Sequence, residues 1–168
     1  MANGDTLLQW RAQEAITVQK NSAELIDRNG YKALAFDADV TEYAIFDGVI
    51  DARKAGGNYR VEIVWAAAEA ATGNVIWQVE FARGTSNASG FDLDENNFAT
   101  AIALSAAAAP GAVGRIAYTN SGDITNANAD AVAANEFVRL RIARLGGNAS
   151  DTMLGDAQVL AVILRDAT

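Results

Sequence analysis

The sequence predicts an all-β domain, an antiparallel β-sandwich or jelly roll of about eight or nine strands with an irregular N-terminal arm. Two observations predict this fold. Short runs alternate apolar and polar side chains with the period of two that is typical of a strand with one solvated face. Turn sequences rich in Gly, Asn and Asp separate these runs at regular spacing. The length of 168 residues fits a single domain, so we predict residues 1–22 as the arm and residues 23–168 as the sandwich.

The predicted arm is polar and weakly patterned, with one short strand expected at 15–19. Trp10 is its largest side chain. This tryptophan either packs at the edge of the domain or anchors the arm in a neighbouring subunit, and the sequence leaves both interpretations open.

The first predicted hairpin follows the arm. Leu25–Arg28 and Tyr31–Asp37 are strand-like and flank Asn29-Gly30. That dipeptide favours a two-residue turn because both of its central positions need positive φ. In the second strand, Leu34 and Phe36 fall on one face.

The clearest alternation lies in two central runs, Tyr59–Trp65 and Val75–Phe81, which Thr72-Gly73-Asn74 separates. In both runs the odd positions are apolar, which predicts a strand with one wet face. Trp65 and Trp77 alternate with Val and Ile, so we predict them as core residues rather than as platforms for sugar stacking.

The remaining strands follow from shorter patterns, and one helical turn is expected near 130–133. The predicted strands are Glu42–Ile50, Ala99–Ala106, Val113–Thr119, Phe137–Arg144 and Gln158–Arg165. The last of them is apolar on both faces. It is therefore either a central strand covered on both sides or a strand with one face against another chain.

Composition excludes several classes of function. The chain has no histidine and no cysteine, so it lacks a Ser-His-Asp triad, a thiolate nucleophile and the usual zinc ligands. Its net charge of −8 disfavours nucleic acid and anionic membrane surfaces as partners. We predict no enzyme activity, no catalytic or metal site and no cofactor. No basic segment followed by an apolar stretch opens the chain, so no signal peptide is expected.

Two weaker acidic patterns remain. Asp92, Asp94 and Asn96 match the opening of an EF-hand loop, but Asn97 replaces the glycine and Ala103 the closing glutamate. We therefore favour a solvated acidic loop, with a calcium site as the open alternative. Paired carboxylates could serve a glycosidase, but no spacing selects a pair among the candidates Glu80, Asp92, Asp151 and Asp156.

Several residues are candidates for contacts between subunits. Arg139, Arg141 and Arg144 suggest a basic stripe, which is either paired with acids across strands or a docking surface for an acidic neighbour. The predicted contact residues are Trp10, Ile16, Val18, Arg139, Arg141, Val159, Ala161 and Ile163.

Seven motifs between about Glu24 and Arg165 resemble small structural proteins of tailed bacteriophages. They are Asp27-Arg28-Asn29-Gly30, Leu34-Ala35-Phe36-Asp37, Ala44–Ile50, Val61–Trp65, Thr72–Trp77, Arg139–Arg144 and Asp151–Asp156. The resemblance implies a jelly-roll virion protein, and the favoured interpretation is a capsid cement or decoration protein. Its implied partners are the major capsid protein or other virion proteins, and a homotrimer is favoured. In such proteins proline commonly follows the equivalent of Ile50, whereas this chain has Asp51.

The alternative function is a carbohydrate-binding module, or a tail or fibre module for attachment to a host surface. It would use loop aromatics, with Phe91, Phe98 and Tyr118 as the candidates. These rings would have to be exposed near one end of the sandwich.

Overall fold

Two antiparallel sheets pack face to face in the computed structural model, which describes residues 4–16, 20–55, 57–69, 72–84 and 97–167. The strands are β1 Thr6–Arg11, β2 Glu24–Arg28, β3 Tyr31–Phe36, β4 Thr41–Val49, β5 Asn58–Ala67, β6 Asn74–Val75, β7 Trp77–Gly84, β8 Ile102–Ala103, β9 Ala107–Ala108, β10 Ile116–Asn120, β11 Phe137–Leu145 and β12 Ala157–Ala167. A single 3-10 turn, Ala12–Glu14, is the one helical element among these residues. The predicted all-β sandwich is confirmed. Within the described ranges, no helix has the length and apolar character needed to span a membrane.

The larger sheet has six strands in the order β10-β5-β12-β3-β2, and β1 also pairs with β12. Strand β3 pairs with the start of β12, and β1 pairs with its later part. The second sheet has four strands in the order β4-β11-β7-β8, and β6 pairs with β9 in a short ribbon. Strand β12 is therefore a central strand of this sheet, and a contact between its outer face and another chain stays a prediction.

The core lies between the two sheets. Alternation in β5 and β7 turns their apolar residues inward, and Trp65 and Trp77 are fully buried as predicted. Their ring centroids lie 5.9 Å apart, and Phe36 meets Trp77 edge-on at 5.3 Å. These aromatic contacts join the two sheets.

The N-terminal segment contributes a strand to the larger sheet, since Thr6–Arg11 forms β1. Trp10 is 5% exposed, packs 5.6 Å from the ring of Phe46 and donates from Nε1 to the carbonyl of Asp47. The backbone N–H of Gly4 donates to the carbonyl of Asp166, and that of Asp166 donates to the carbonyl of Asp5. The two end segments of the described chain therefore lie side by side.

Three local predictions need correction. The run predicted at 75–81 divides into β6 and β7, and the strand predicted at 99–106 is reduced to the two residues of β8. The expected helical turn at 130–133 is absent because Asp130 and Ala131 have φ values of 56° and 53°. Within the strand predicted at 15–19, Ile16 forms a bridge with Ile45, and residues 17–19 lie outside the described residues.

Strand β12 contains a bulge that changes which residues face the core. Its pairing with β5 shifts between Val159 and Ala161, so Leu160 adds one residue to the alternation. As a result Val159 and Val162 are both fully buried. Ala161 therefore lies on the outer face of β12, whereas Val159 lies on the inner face.

Arg144 does not belong to an outward basic stripe, which corrects that prediction. Val138, Leu140 and Ile142 point inward, and the same alternation turns the next even position inward too. The Arg144 side chain is fully buried and donates to both carboxylate oxygens of Asp151. It also donates to the carbonyls of Phe36, Met153 and Gly155. This arginine therefore fixes the loop between β11 and β12 to the end of β3.

Candidate functional site

The outer face of the six-stranded sheet carries a groove of about 390 Å³, which we call the outer groove. It draws residues from β2, β3, β5, β10, β12 and the loop before β10. The lining residues are Arg28, Asn29, Tyr31, Ala33, Ala66, Gly114, Ile116, Gln158 and Leu160.

Strand alternation explains the shape of the groove. Leu34 and Phe36 of β3 point into the core, so Tyr31 and Ala33 point outward. Ala33 is only 2% exposed and forms part of the floor, as do Ala66 and Gln158. Tyr31 is 70% exposed and Ile116 is 54% exposed, so these two side chains form opposite rims.

Arg28 joins the hairpin of β2 and β3 to the rest of the sheet. Its Nη1 donates to Oε1 of Gln158 at 2.6 Å and to the carbonyl of Ala67 at 3.3 Å. A Cβ at position 114 would lie 3.2 Å from its Nη2, so glycine at that position keeps the Nη2 side open. The hairpin itself has the predicted two-residue turn, because Asn29 and Gly30 both have positive φ.

The outer groove carries side chains that can contact both apolar and polar parts of a ligand. It offers one exposed aromatic face at Tyr31, a guanidinium at Arg28 and side-chain amides at Asn29 and Gln158. The rest of the lining is apolar, with two alanines, one glycine, Ile116 and Leu160. A concave, largely apolar surface with a few fixed polar groups is typical of a small-molecule site.

The predicted loop aromatics lie elsewhere. Tyr118 is 67% exposed on β10, beyond Ile116, and does not line the outer groove. Phe98 is half-buried and stacks against Arg141, whose guanidinium carbon lies 4.2 Å from the ring centroid. Phe91 lies outside the described residues.

Arg139 and Arg141 lie on the outer face of the four-stranded sheet. Arg141 donates to both carboxylate oxygens of Glu80 on β7, at 2.5 and 2.7 Å. Its guanidinium also faces Tyr43, and Arg139 faces Phe98 at 5.5 Å. For Arg141 the structure matches the cross-strand pairing that the sequence left open.

The other predicted contact residues occupy different environments. Trp10 and Val159 are buried in the chain's own core, while Ile16 is 39% exposed. Ala161 and Ile163 lie on the outer face of β12, where Ile163 is 9% exposed. Val18 lies outside the described residues. Contacts of this set with another subunit stay a prediction.

The predicted acidic candidates do not line the outer groove. Glu80 pairs with Arg141, and Asp151 is buried against Arg144. Asp92, Asp94 and Asn96 are not among the described residues, whereas Asn97 and Ala103 of the EF-hand-like segment are both exposed. In the part of the chain that the structure describes, no three acidic side chains form a group that could hold a metal ion.

Glu42 and Asp156 lie in an acidic environment near the start of β4 and of β12. Burial raises the pKa of Glu42, and the nearby Asp37, Asp156 and Glu24 carboxylates raise this pKa further. The backbone N–H of Asp37 donates to Glu42 and opposes the rise. Burial and the Asp37 carboxylate also raise the pKa of Asp156.

No protein-family model and no curated protein matches this chain. Solved structures share its fold at low identity. A carbohydrate-binding module of lichenase 5A from Cellvibrio mixtus, solved with cellotriose, is 12% identical with a TM-score of 0.53, covering 98% of this chain and 100% of that module. A family 35 carbohydrate-binding module from Clostridium thermocellum is 13% identical with a TM-score of 0.52, covering 94% and 98%.

An enzyme chain also contains this fold. The exo-β-1,3-galactanase of Phanerochaete chrysosporium, solved with galactose, is 11% identical with a TM-score of 0.53. The match covers 95% of this chain and 29% of the galactanase. At such identities these likenesses establish the fold, a jelly-roll β-sandwich of the kind seen in carbohydrate-binding modules.

Proposed function

We propose that this domain is a carbohydrate-binding module that holds a saccharide in the outer groove. The observation that carries the proposal is the exposed ring of Tyr31 at the rim of a groove whose lining includes Arg28, Asn29 and Gln158. A sugar ring has an apolar face and a hydroxylated edge. An aromatic face beside fixed polar groups complements both.

The fold supports the same proposal. Two of the structures to which this chain is similar are carbohydrate-binding modules that it matches over nearly their full length. A shared fold does not carry a function by itself. The proposal therefore depends on the side chains of the outer groove.

Binding in this groove would rely on a preformed surface. Arg28 is held by Gln158 and by the carbonyl of Ala67, which fixes the hairpin that carries Tyr31. A side chain that is positioned before the ligand arrives loses little conformational freedom on binding. Tyr31 then stacks on the sugar ring, while the amides and the guanidinium donate to its oxygens.

The experiment is a screen of the full chain against an array of plant, algal and bacterial oligosaccharides, followed by calorimetry with the best ligand. Tyr31→Ala should weaken binding by about 30-fold or more, because a central aromatic contact contributes about 2 kcal/mol or more. Tyr118→Ala is the matched control, since Tyr118 is similarly exposed but does not line the groove. It should bind as the parent does.

Two results would contradict the proposal. One is the absence of any bound saccharide on the array. The other is a ligand whose affinity is unchanged by Tyr31→Ala in a variant with the melting temperature of the parent.

The virion protein predicted from sequence stays a prediction. None of the structures described above is a virion protein, so they give it no support. A capsid cement or decoration protein would bind purified particles and would have the mass of an oligomer, with the trimer favoured. Particle binding and light scattering test these two expectations directly.

A further inference from the structure

The charge of the outer groove is opposite to that of the chain. The chain has 21 acidic residues against 13 basic ones. The nine residues that line the groove include one arginine and no carboxylate. A ligand in this groove therefore meets a local positive charge on a protein whose net charge is negative.

Arg28 differs from most of the other arginines of the chain in what its side chain contacts. Six of them form ion pairs with carboxylates, namely Arg53, Arg60, Arg83, Arg141, Arg144 and Arg165. Arg28 donates to neutral oxygens, those of Gln158 and Ala67, and to no carboxylate of the described residues. Its charge is therefore not neutralised by a described protein group beside the groove.

The edge of the guanidinium that remains is the one suited to an anion. In Arg83, Arg141 and Arg144, the Nε and Nη2 groups together hold the two oxygens of one carboxylate. In Arg28, Nη1 makes the contacts within the protein, and Nε and Nη2 donate to no described residue. Two parallel donors on one edge match a carboxylate or a sulfate.

We infer that the outer groove selects saccharides that carry an anionic substituent, with Nε and Nη2 of Arg28 donating to it. This inference rests on the proposed carbohydrate-binding function and names the substrate class. The substituent is the carboxylate of a uronic acid or a sulfate ester, since both present two oxygens to the same pair of donors.

The test uses matched pairs of oligosaccharides that differ only in the anionic group. Oligogalacturonides are compared with their methyl esters, glucuronoxylan fragments with unsubstituted xylan fragments, and sulfated galactan fragments with desulfated ones. We expect at least one acidic member to bind about tenfold or more tightly than its neutral partner, because a hydrogen bond to a charged group is about twice as strong as a neutral one. The pair that shows the preference distinguishes carboxylate from sulfate.

Variants assign the preference to Arg28. Arg28→Gln should remove it, and Arg28→Lys should reduce it, because lysine keeps the charge but lacks the two parallel donors. Arg115→Gln is the matched control: it changes the net charge equally at an exposed position outside the lining. This control should keep the preference of the parent.

The outcomes separate this inference from the proposed function. Neutral members that bind as tightly as acidic ones, with affinity lost in Tyr31→Ala, would overturn the inference and leave the proposed function standing. A preference for acidic ligands that Arg28→Gln retains, or that Arg115→Gln also loses, would overturn it too. If Arg28→Gln does not fold, the matched pairs measured on the parent chain still show whether acidic saccharides bind more tightly. The same pairs measured on Arg28→Lys show whether that preference depends on Arg28. Absence of all saccharide binding refutes both proposals.

Discussion

Replacing Arg144 with methionine should cost this domain a large part of its stability. The side chain is fully buried and makes five hydrogen bonds within the protein. Methionine has a similar length but no charge and no donor. The change would leave the Asp151 carboxylate, which is 1% exposed, with the backbone N–H of Ile76 as its remaining described donor.

The magnitude follows from the charge that is left behind. Removing one partner of a buried ion pair costs about 3–5 kcal/mol. The carbonyls of Phe36, Met153 and Gly155 also lose their donor, so we expect a loss in the upper part of that range. Because a domain of this kind has a total stability of about 5–15 kcal/mol, the variant should be marginally folded. Asp151→Asn added to Arg144→Met should recover part of the loss, since it removes the unpaired charge.

Urea unfolding followed by tryptophan fluorescence measures this loss, because Trp65 and Trp77 are fully buried and report on the core. Arg60→Met is the matched control. Arg60 pairs with Asp123 at the surface, where both side chains are substantially exposed, and such pairs contribute about 0–1 kcal/mol. A loss in Arg144→Met no larger than that in Arg60→Met would refute the reasoning.

Two further predictions concern Trp10 in β1 and Glu42 at the start of β4. Trp10→Ala should lower the free energy of unfolding by about 3–5 kcal/mol, as expected for a buried tryptophan, whereas a value under about 0.5 kcal/mol in urea unfolding would indicate a detached arm. Glu42→Gln should raise the melting temperature at pH 7. A raised pKa means that the folded state binds the proton more tightly than the unfolded state, so stability falls as pH rises from about 4.5 through the folded pKa. The difference between variant and parent should shrink at pH 4, and an equal or lower melting temperature at pH 7 would contradict this prediction.

The strands with unbroken alternation could be predicted from sequence. β5, β7 and β11 keep a period of two over most of their length, so the buried positions of Trp65 and Trp77 follow directly. Strand β1 does not keep the period of two. Its register shifts between Thr6 and Leu8, so that buried Leu7 and Trp10 stand three positions apart and no longer alternate. The bulge at Leu160 has the same effect on β12.

The candidate site could be predicted only in part. Alternation with Leu34 and Phe36 places Tyr31 on the outward face, and this signal was available in the sequence. The sequence does not indicate that these segments come together to form the groove. Arg28 and Gln158 are separated by 130 positions, and no local pattern indicates that β2 and β12 lie in one sheet. Arg144 shows the opposite case, since its inward direction follows from β11 but its charge suggested a surface position.

The adjacency of Gly4 and Asp166 has a practical consequence for engineering. A short peptide bridge could join the two segments into a circle, which would allow circular permutation with new ends opened in an exposed turn. The outer groove uses Gln158, near the opposite end of β12 and roughly 25 Å from Asp166 at about 3.3 Å per residue. A bridge between Gly4 and Asp166 would therefore lie away from Gln158 and leave the groove accessible.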